Sequence, residues 1–310
     1  MTEGGVHTTG PDAAACHGFS IDVEDYRQIL SARFRGDPGP VTPQLERGME
    51  SVLGLLADAH ASATLFVTGT VVERRPDLVR RWSALGHEVA SHGYDHTPIW
   101  AMTREAFREN ITRAKKALED AIGAPVTGYR APVFSIRQDT LWALETIAEA
   151  GFAYDSSVVP VRTRRYGIAG FDRRPAVYAL PSGRQVVEVP MSTARVAGRE
   201  VPMAGGGYFR LFSCRRICEA VREAQRLGLP FIAYVHPDEF SGEAFRAVDL
   251  ACGWRQKMVA AAIALKSNLG RRRVPETSRC LLSEFRFTTL GRLAGAEGLP
   301  HLTLRGLLLH

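Results

Sequence analysis

Two imidazoles four residues apart, in His92-Gly93-Tyr94-Asp95-His96, have the spacing that lets both side chains reach one ion if the backbone takes a helical turn. Loop histidines often bind nothing, so the reading depends on what else the chain brings to the same place. A carboxylate would complete a two-histidine, one-carboxylate site with positions left open for water and substrate, suited to zinc and to other divalent ions. The acidic cluster Asp22-Val23-Glu24-Asp25 can supply it. Alternation along a strand puts Glu24 on the same face as Asp22, and Asp25 serves instead if the chain turns at once. The sequence leaves both open, and Asp22 is then free to act as a base.

Three further residues could work beside such an ion. Arg130 precedes Ala131-Pro132, where the proline ring stiffens the turn, and a guanidinium there can hold Asp22 ionised and aimed. His236, in Tyr234-Val235-His236-Pro237, is placed to act as a general acid, and Asp155 of Tyr154-Asp155-Ser156-Ser157 could orient or charge it.

These groups need elements to position them. Apolar spacing and punctuation predict strands at 16–22, 63–67, 87–90, 126–129, 152–154, 186–189 and 231–235. Helices are predicted at 45–59, 77–85, 103–122, 139–150 and 213–227, with Thr103 as a cap and Gly123 as a terminator. This alternation is the signature of an α/β protein, a parallel sheet or barrel with helices outside. In such folds functional groups collect at the C-terminal ends of strands. Asp22, Glu24 and Asp25, then His92 and His96, then Arg130, Asp155 and His236 all follow strand ends. Beyond His236 the pattern weakens to a helix over 253–269 and a hairpin or strand over 283–290, which suggests a C-terminal extension packed on the core.

Composition bounds the rest. The 310 residues are 45% hydrophobic and 23% charged, which excludes global disorder, collagen and coiled coil. The net charge of +6 rests on 35 Arg against four Lys, spread along the chain. That bias fits codon usage in a GC-rich genome better than a nucleic-acid surface, so no nucleic-acid partner is expected. Five cysteines, with no C-x-x-C spacing, predict reduced and mostly buried thiols, with Cys214 and Cys218 filling core. Residues 1–15 read as a flexible leader without signal-peptide character, and no run of about 18 apolar residues occurs, so a cytoplasmic protein is expected.

The ordered motifs S-I-D-V-E-D-Y, A-T-L-F-V-T-G, G-H-E-V-A-S-H-G-Y-D-H, G-Y-R-A-P-V-F-S-I, Y-D-S-S and Y-V-H-P resemble the NodB-homology polysaccharide deacetylases, carbohydrate esterase family 4, over residues 16–240. The D-V-E-D-Y start, A-G-G-G-Y-F-R-L at 204–211 and the extension 241–310 most resemble the exosortase-linked exopolysaccharide deacetylase subgroup. The resemblance implies a distorted, seven-stranded TIM-like (β/α) barrel with a C-terminal extension of unknown function. It implies one divalent metal, usually Zn2+, and hydrolysis of N-acetyl groups on amino sugars. Carried over by motif, Asp22 is the base, His92, His96 and the next acid of the cluster are metal ligands, and Arg130 orients the base. His236 is then the acid, Asp155 tunes it, and the amide near Val133 is an oxyanion donor. The first motif departs from the family by placing Val23 after Asp22, which leaves Glu24 and Asp25 as alternatives.

An acetylated amino-sugar oligomer or a lipid-linked glycan would be the substrate. A cytoplasmic site favours a precursor at the inner membrane face, with peripheral association to a polysaccharide-assembly system. The competing readings are a related amide hydrolase acting on a cyclic ureide or formylated sugar, and an inactive glycan-binding scaffold.

Overall fold

The computed structural model describes residues 16–304, so the expected leader lies outside the described residues. Strands β1 (His17–Val23), β2 (Thr64–Val67), β3 (Glu88–Ser91), β4 (Gly128–Tyr129) and β5 (Tyr154–Asp155) pair in parallel, each with the next. Strand β6 (Ala176–Ala179) runs antiparallel to β7 (Gln185–Glu188), and β7 continues the parallel set beside β5. A hairpin of β8 (Thr193–Val196) and β9 (Arg199–Pro202) stands apart, and β10 (Ile232–Val235) pairs with the free side of β1. The order β10-β1-β2-β3-β4-β5-β7 is therefore a run of seven parallel strands, wound in the way the alternating pattern predicts.

The ladder stays open between β7 and β10. Residues 191–205 cover that seam: Met203 N–H donates to the Ser192 carbonyl, Ile232 N–H to Ser192 Oγ, and Tyr234 N–H to the Ala204 carbonyl. The sheet is thus a distorted barrel with one side bridged by the segment that carries the β8–β9 hairpin.

Every residue of β1 and β2 is buried, as expected for parallel strands covered on both faces. The helices α1 (Tyr26–Arg35), α2 (Pro43–Asp58), α3 (Gly69–Arg74), α4 (Pro76–Ala84), α5 (Arg104–Ile122) and α6 (Ala143–Glu149) fill most of the connections. In α5 the Thr103 side chain accepts from Ala106 N–H at 3.2 Å, and Gly123 ends the helix at φ 69. Its stripe Phe107, Ile111, Ala114, Leu118 packs inward at three- and four-residue spacing. In α2 Pro43 opens the helix, and Leu45, Met49, Val52, Leu53 and Leu56 face the core.

Two departures concern the C-terminal half. After α7 (Gly206–Phe209), α8 (Cys214–Arg226) and α9 (Trp254–Asn268), a helix α10 (Arg273–Glu284) occupies a stretch without a sequence assignment. The expected hairpin at 283–290 is instead a two-residue strand β11 (Phe287–Thr288), parallel to the start of β1, followed by α11 (Leu290–Ala294). The aromatic and β-branched run Phe285 to Thr289 reads as a strand, but Thr289 caps α11 by accepting from Arg292 N–H, which stops it. Buried Leu290 joins Phe66, Ala90 and Ile232 inside the barrel, and Leu290 N–H donates to Thr64 Oγ1 at 2.7 Å. The helix α11 therefore plugs the N-terminal ends of the strands, opposite the rim that carries the histidines. A last strand, β12 (His301–Thr303), pairs with β6.

The cysteine expectation is also corrected. Cys214 on α8 and Cys280 on α10 form a disulfide, while Cys16, Cys218 and Cys252 are free, two of them exposed. An odd cysteine count does not forbid a bridge, and these partners lie 66 residues apart on helices that only tertiary packing brings together. Among the described residues, no helix is long and apolar enough to cross a membrane.

Candidate active site

The barrel register decides which residues meet. Asp22 sits beside Phe66, Val67 beside Ser91, Ser91 beside Tyr129, and Tyr129 beside Asp155, so the strand ends fall level. On the other side Ile21 pairs with Val235, which brings His236 to the same rim. A cavity of about 410 Å³ opens there, lined by Asp22, Glu24, His92, His96, Val133 and His236 among others.

The two acids left open by the sequence now separate. Glu24, buried at the end of β1, lies with Oε2 at 2.5 Å from His96 Nε2 and 3.4 Å from His92 Nε2. Asp25 faces away and caps α1: its carboxylate accepts from Arg27, Gln28 and Thr42 N–H groups. The imidazoles do not sit on a helical turn as their spacing suggested. Residues 92–96 form a loop in which Gly93 (φ 71) and His96 (φ 64) take left-handed backbone, and the rings approach to 5.3 Å. Asn110 of α5 holds this loop, accepting from Tyr94 N–H at 2.8 Å and donating to Asp95 at 3.0 Å.

The donor set fits a divalent ion. One oxygen and two nitrogens lie within 4.8 Å of one another, and the buried Glu24 Oε2 has no well-aligned hydrogen bond. His92 Nδ1 is 2.9 Å from the Arg130 carbonyl, which can only accept. The ring proton therefore sits on Nδ1, and Nε2 presents its lone pair to the cradle, the usual way a backbone carbonyl orients a metal-binding histidine. Burial pushes the Glu24 carboxyl up, but the imidazoles of His96 and, more weakly, His236 overcome it and hold Glu24 well below its ordinary range.

Asp22 and Arg130 form a buried pair at 2.7 Å. The guanidinium also donates to Ser20 Oγ at 2.8 Å, to the Ser156 carbonyl and to Ser156 Oγ, both at 3.0 Å, and lies over the Phe66 ring at 4.1 Å. With Arg130 fully buried, this near-complete hydrogen bonding is what makes its charge tolerable. Ser20 and Ser156 were not singled out in the sequence; alternation on β1, which puts Ser20 on the face of Asp22, was the available signal. After Arg130 the chain bends through Val133 (φ 52) and Phe134 (φ 53), a left-handed pair that a β-branched residue adopts only under strain, and Val133 lines the cavity.

Asp155 is corrected in role. It does not reach His236: it accepts from Ser157 Oγ at 2.6 Å, and Ser157 Oγ accepts from Ala131 N–H at 2.7 Å, so it braces the turn that carries Arg130. It faces Glu188 across the β5–β7 pair, and burial, with Asp155 beside it, pushes the Glu188 carboxyl well up. The acid beside His236 is Glu239, 3.5 Å from Nδ1 and itself paired with Arg210 at 2.5 Å. Burial lowers the His236 imidazole, but Glu239, with smaller contributions from Glu24 and Asp22, lifts it to about 10. His236 is thus held as a cation, with Nε2 3.7 Å from Glu24.

Residues 37–154 match the family described as polysaccharide deacetylase, and residues 156–294 match a domain of unknown function, DUF3473. The first of these stretches is thus similar to the polysaccharide deacetylases. Among curated proteins, the chain is 38% identical over 122 residues to a chitooligosaccharide deacetylase of Sinorhizobium fredii, covering 39% of this chain and 52% of that protein. The chain therefore spans about half the length of this relative. A peptidoglycan-N-acetylglucosamine deacetylase of Bacillus cereus is 25% identical over 212 residues, 68% of this chain and 88% of that protein. In structure, the chain is similar to a Mycobacterium smegmatis protein described as a polysaccharide deacetylase, with TM-score 0.60 and 22% identity, over 93% of this chain and 91% of that one. That likeness supports the α/β barrel fold.

Proposed function

We propose that the protein is a metal-dependent deacetylase that removes N-acetyl groups from amino sugars and releases acetate. The observation that carries this reading is the convergence of Glu24, His92 and His96, the Asp22–Arg130 pair and the His236 cation on one cavity.

In this reading Glu24, His92 and His96 hold a divalent ion, most suitably Zn2+, which supplies Lewis acidity toward the acetamide carbonyl and its attacking water. Asp22, fixed by Arg130, takes a proton from that water. The Val133 amide, on the cavity wall, is the candidate donor to the developing oxyanion. His236, already protonated, passes its proton to the leaving nitrogen, so that the amine departs and acetate remains. Glu239 keeps that proton in place, and Asp155 works at one remove by bracing the Arg130 turn.

The substrate is taken to be an acetylated amino-sugar oligomer or a lipid-linked glycan precursor of an exopolysaccharide, in line with the exosortase-linked subgroup that its motifs resemble. The division into a deacetylase barrel at 16–240 and an extension at 241–310 belongs to the same proposal. The test is acetate release from N-acetylglucosamine oligomers together with metal content by elemental analysis. His96→Ala should lose most bound metal and turnover; full metal and full activity in that variant would sink the ligand assignment.

A further inference from the structure

We infer that the outer cleft recognises an anionic group on the substrate, a carboxylate or phosphate carried next to the acetylated sugar, through Arg33, Arg165 and Lys266. The inference rests on the deacetylase reading and specifies the class of sugar it acts on.

The three cations come from three separate parts of the chain: Arg33 from α1, Arg165 from the connection between β5 and β6, and Lys266 from α9. All three line the cavity that holds Asp22, the metal cradle and His236. Among the described residues none of their charged groups lies within 4.0 Å of a carboxylate, and none donates a side-chain hydrogen bond. The fourth cation of the cleft, Arg210, is by contrast already paired with Glu239 at 2.5 Å.

The carboxylates of the same cleft are also spoken for. Asp22 is held by Arg130, Glu24 faces the imidazoles, Glu239 holds Arg210, and Asp238 lies 4.0 Å from Arg271. The positive charge of the outer cleft is therefore left without an internal counter-charge. Arg33, Arg165 and Lys266 line one cavity together with Tyr26. In a protein whose arginines are mostly scattered, three unpaired cations from distant segments meeting over one catalytic cavity form a field that attracts an anion to that cavity. A neutral N-acetylglucosamine oligomer gives these groups nothing to bind, whereas a uronate neighbour or a sugar diphosphate does.

The test compares the metal-loaded enzyme on three N-acetylated substrates. One is a neutral N-acetylglucosamine oligomer, the second an oligosaccharide of alternating N-acetylhexosamine and uronate, and the third a nucleoside diphosphate N-acetylhexosamine. The native protein should favour at least one anionic substrate in kcat/KM. That preference should fall about fivefold for each of Arg33→Gln, Arg165→Gln and Lys266→Gln, the scale of one exposed charge pair, and should shrink as salt is raised. A response confined to the uronate substrate locates the anion in the polymer, and one confined to the diphosphate locates it in a carrier. Equal kcat/KM on charged and neutral substrates, or an unchanged preference in the triple variant, overturns the inference and leaves the deacetylase reading standing.

Calorimetric binding of the two charged saccharides to Asp22→Asn protein judges the inference without turnover. Salt-sensitive binding that the triple variant loses supports it, and salt-insensitive or absent binding of both overturns it. If no substrate yields acetate, the deacetylase reading fails, and the binding measurement still decides on the charge recognition.

Discussion

Glu239→Gln should uncouple His236 from the carboxylate that keeps it charged, at the cost of the ion pair with Arg210. The amide oxygen can still accept from the His236 backbone N–H, which lies 2.9 Å from Glu239 Oε2, and the side-chain volume is nearly unchanged. Glu239 is the largest of the influences that raise the imidazole to about 10, and burial acts against it, so the variant should return His236 to about its ordinary 6.5. At pH 8 an imidazole of pKa about 10 is about 99% protonated and one of pKa 6.5 about 3%. A step that needs the cation then slows about 30-fold in the variant, but by less than about 1.5-fold at pH 6. The sign also fixes the stability effect. A raised imidazole pKa stabilises the fold fully below about 6.5, and that contribution is lost as pH rises through about 10. The measurement is kcat/KM on N-acetylglucosamine oligomers from pH 5.5 to 10.5 with metal-saturated enzyme, supported by an NMR titration of the His236 ring. Asp155→Asn is the control, because its carboxylate braces Ala131 through Ser157 and should leave the alkaline limb where it is. An alkaline limb that stays near pH 10 in Glu239→Gln would refute the assignment of His236 as the acid held by Glu239.

Three other outcomes follow from the packing. Arg130→Met strands the buried Asp22 carboxylate and removes the donors to Ser20 and Ser156, so it should cost about 3–5 kcal/mol in urea unfolding along with activity; a loss below about 1 kcal/mol would contradict the buried-pair account. Gly48→Ala places a methyl 1.9 Å from the Pro237 carbonyl oxygen, next to His236, and should lower both Tm and kcat, whereas Gly54→Ala in the same helix meets nothing and should be neutral to stabilising. Cys280→Ser opens the bridge to Cys214 and, by loop-closure entropy over 66 residues, should destabilise by about 4 kcal/mol; equal unfolding midpoints with and without reductant in the native protein would show that the bridge is not formed.

Much of the protein is legible in its residues. Helical spacing in α2 and α5, caps such as Thr103 and Gly123, and buried apolar runs such as Thr64–Val67 are local features, and local physical chemistry is enough to read them. The strand-end placement of Asp22, His92, His96, Arg130 and His236 follows from the same pattern, because a parallel β/α fold brings such ends to one rim. Only the tertiary structure put Glu24 beside the histidines and Asp25 away from them, since the direction of a side chain after a strand depends on where the next helix starts, and Asp25 is used to start α1. Only it moved Asp155 from His236 to the Arg130 turn and put Glu239 in its place, because the distance between two strand-end loops is set by sheet register and helix packing. The Cys214–Cys280 bridge, the plug formed by α11 and the meeting of Arg33, Arg165 and Lys266 over one cleft join residues far apart in the chain. Such contacts leave no local trace, for spacing along a chain records the period of an element and not which distant element it will pack against.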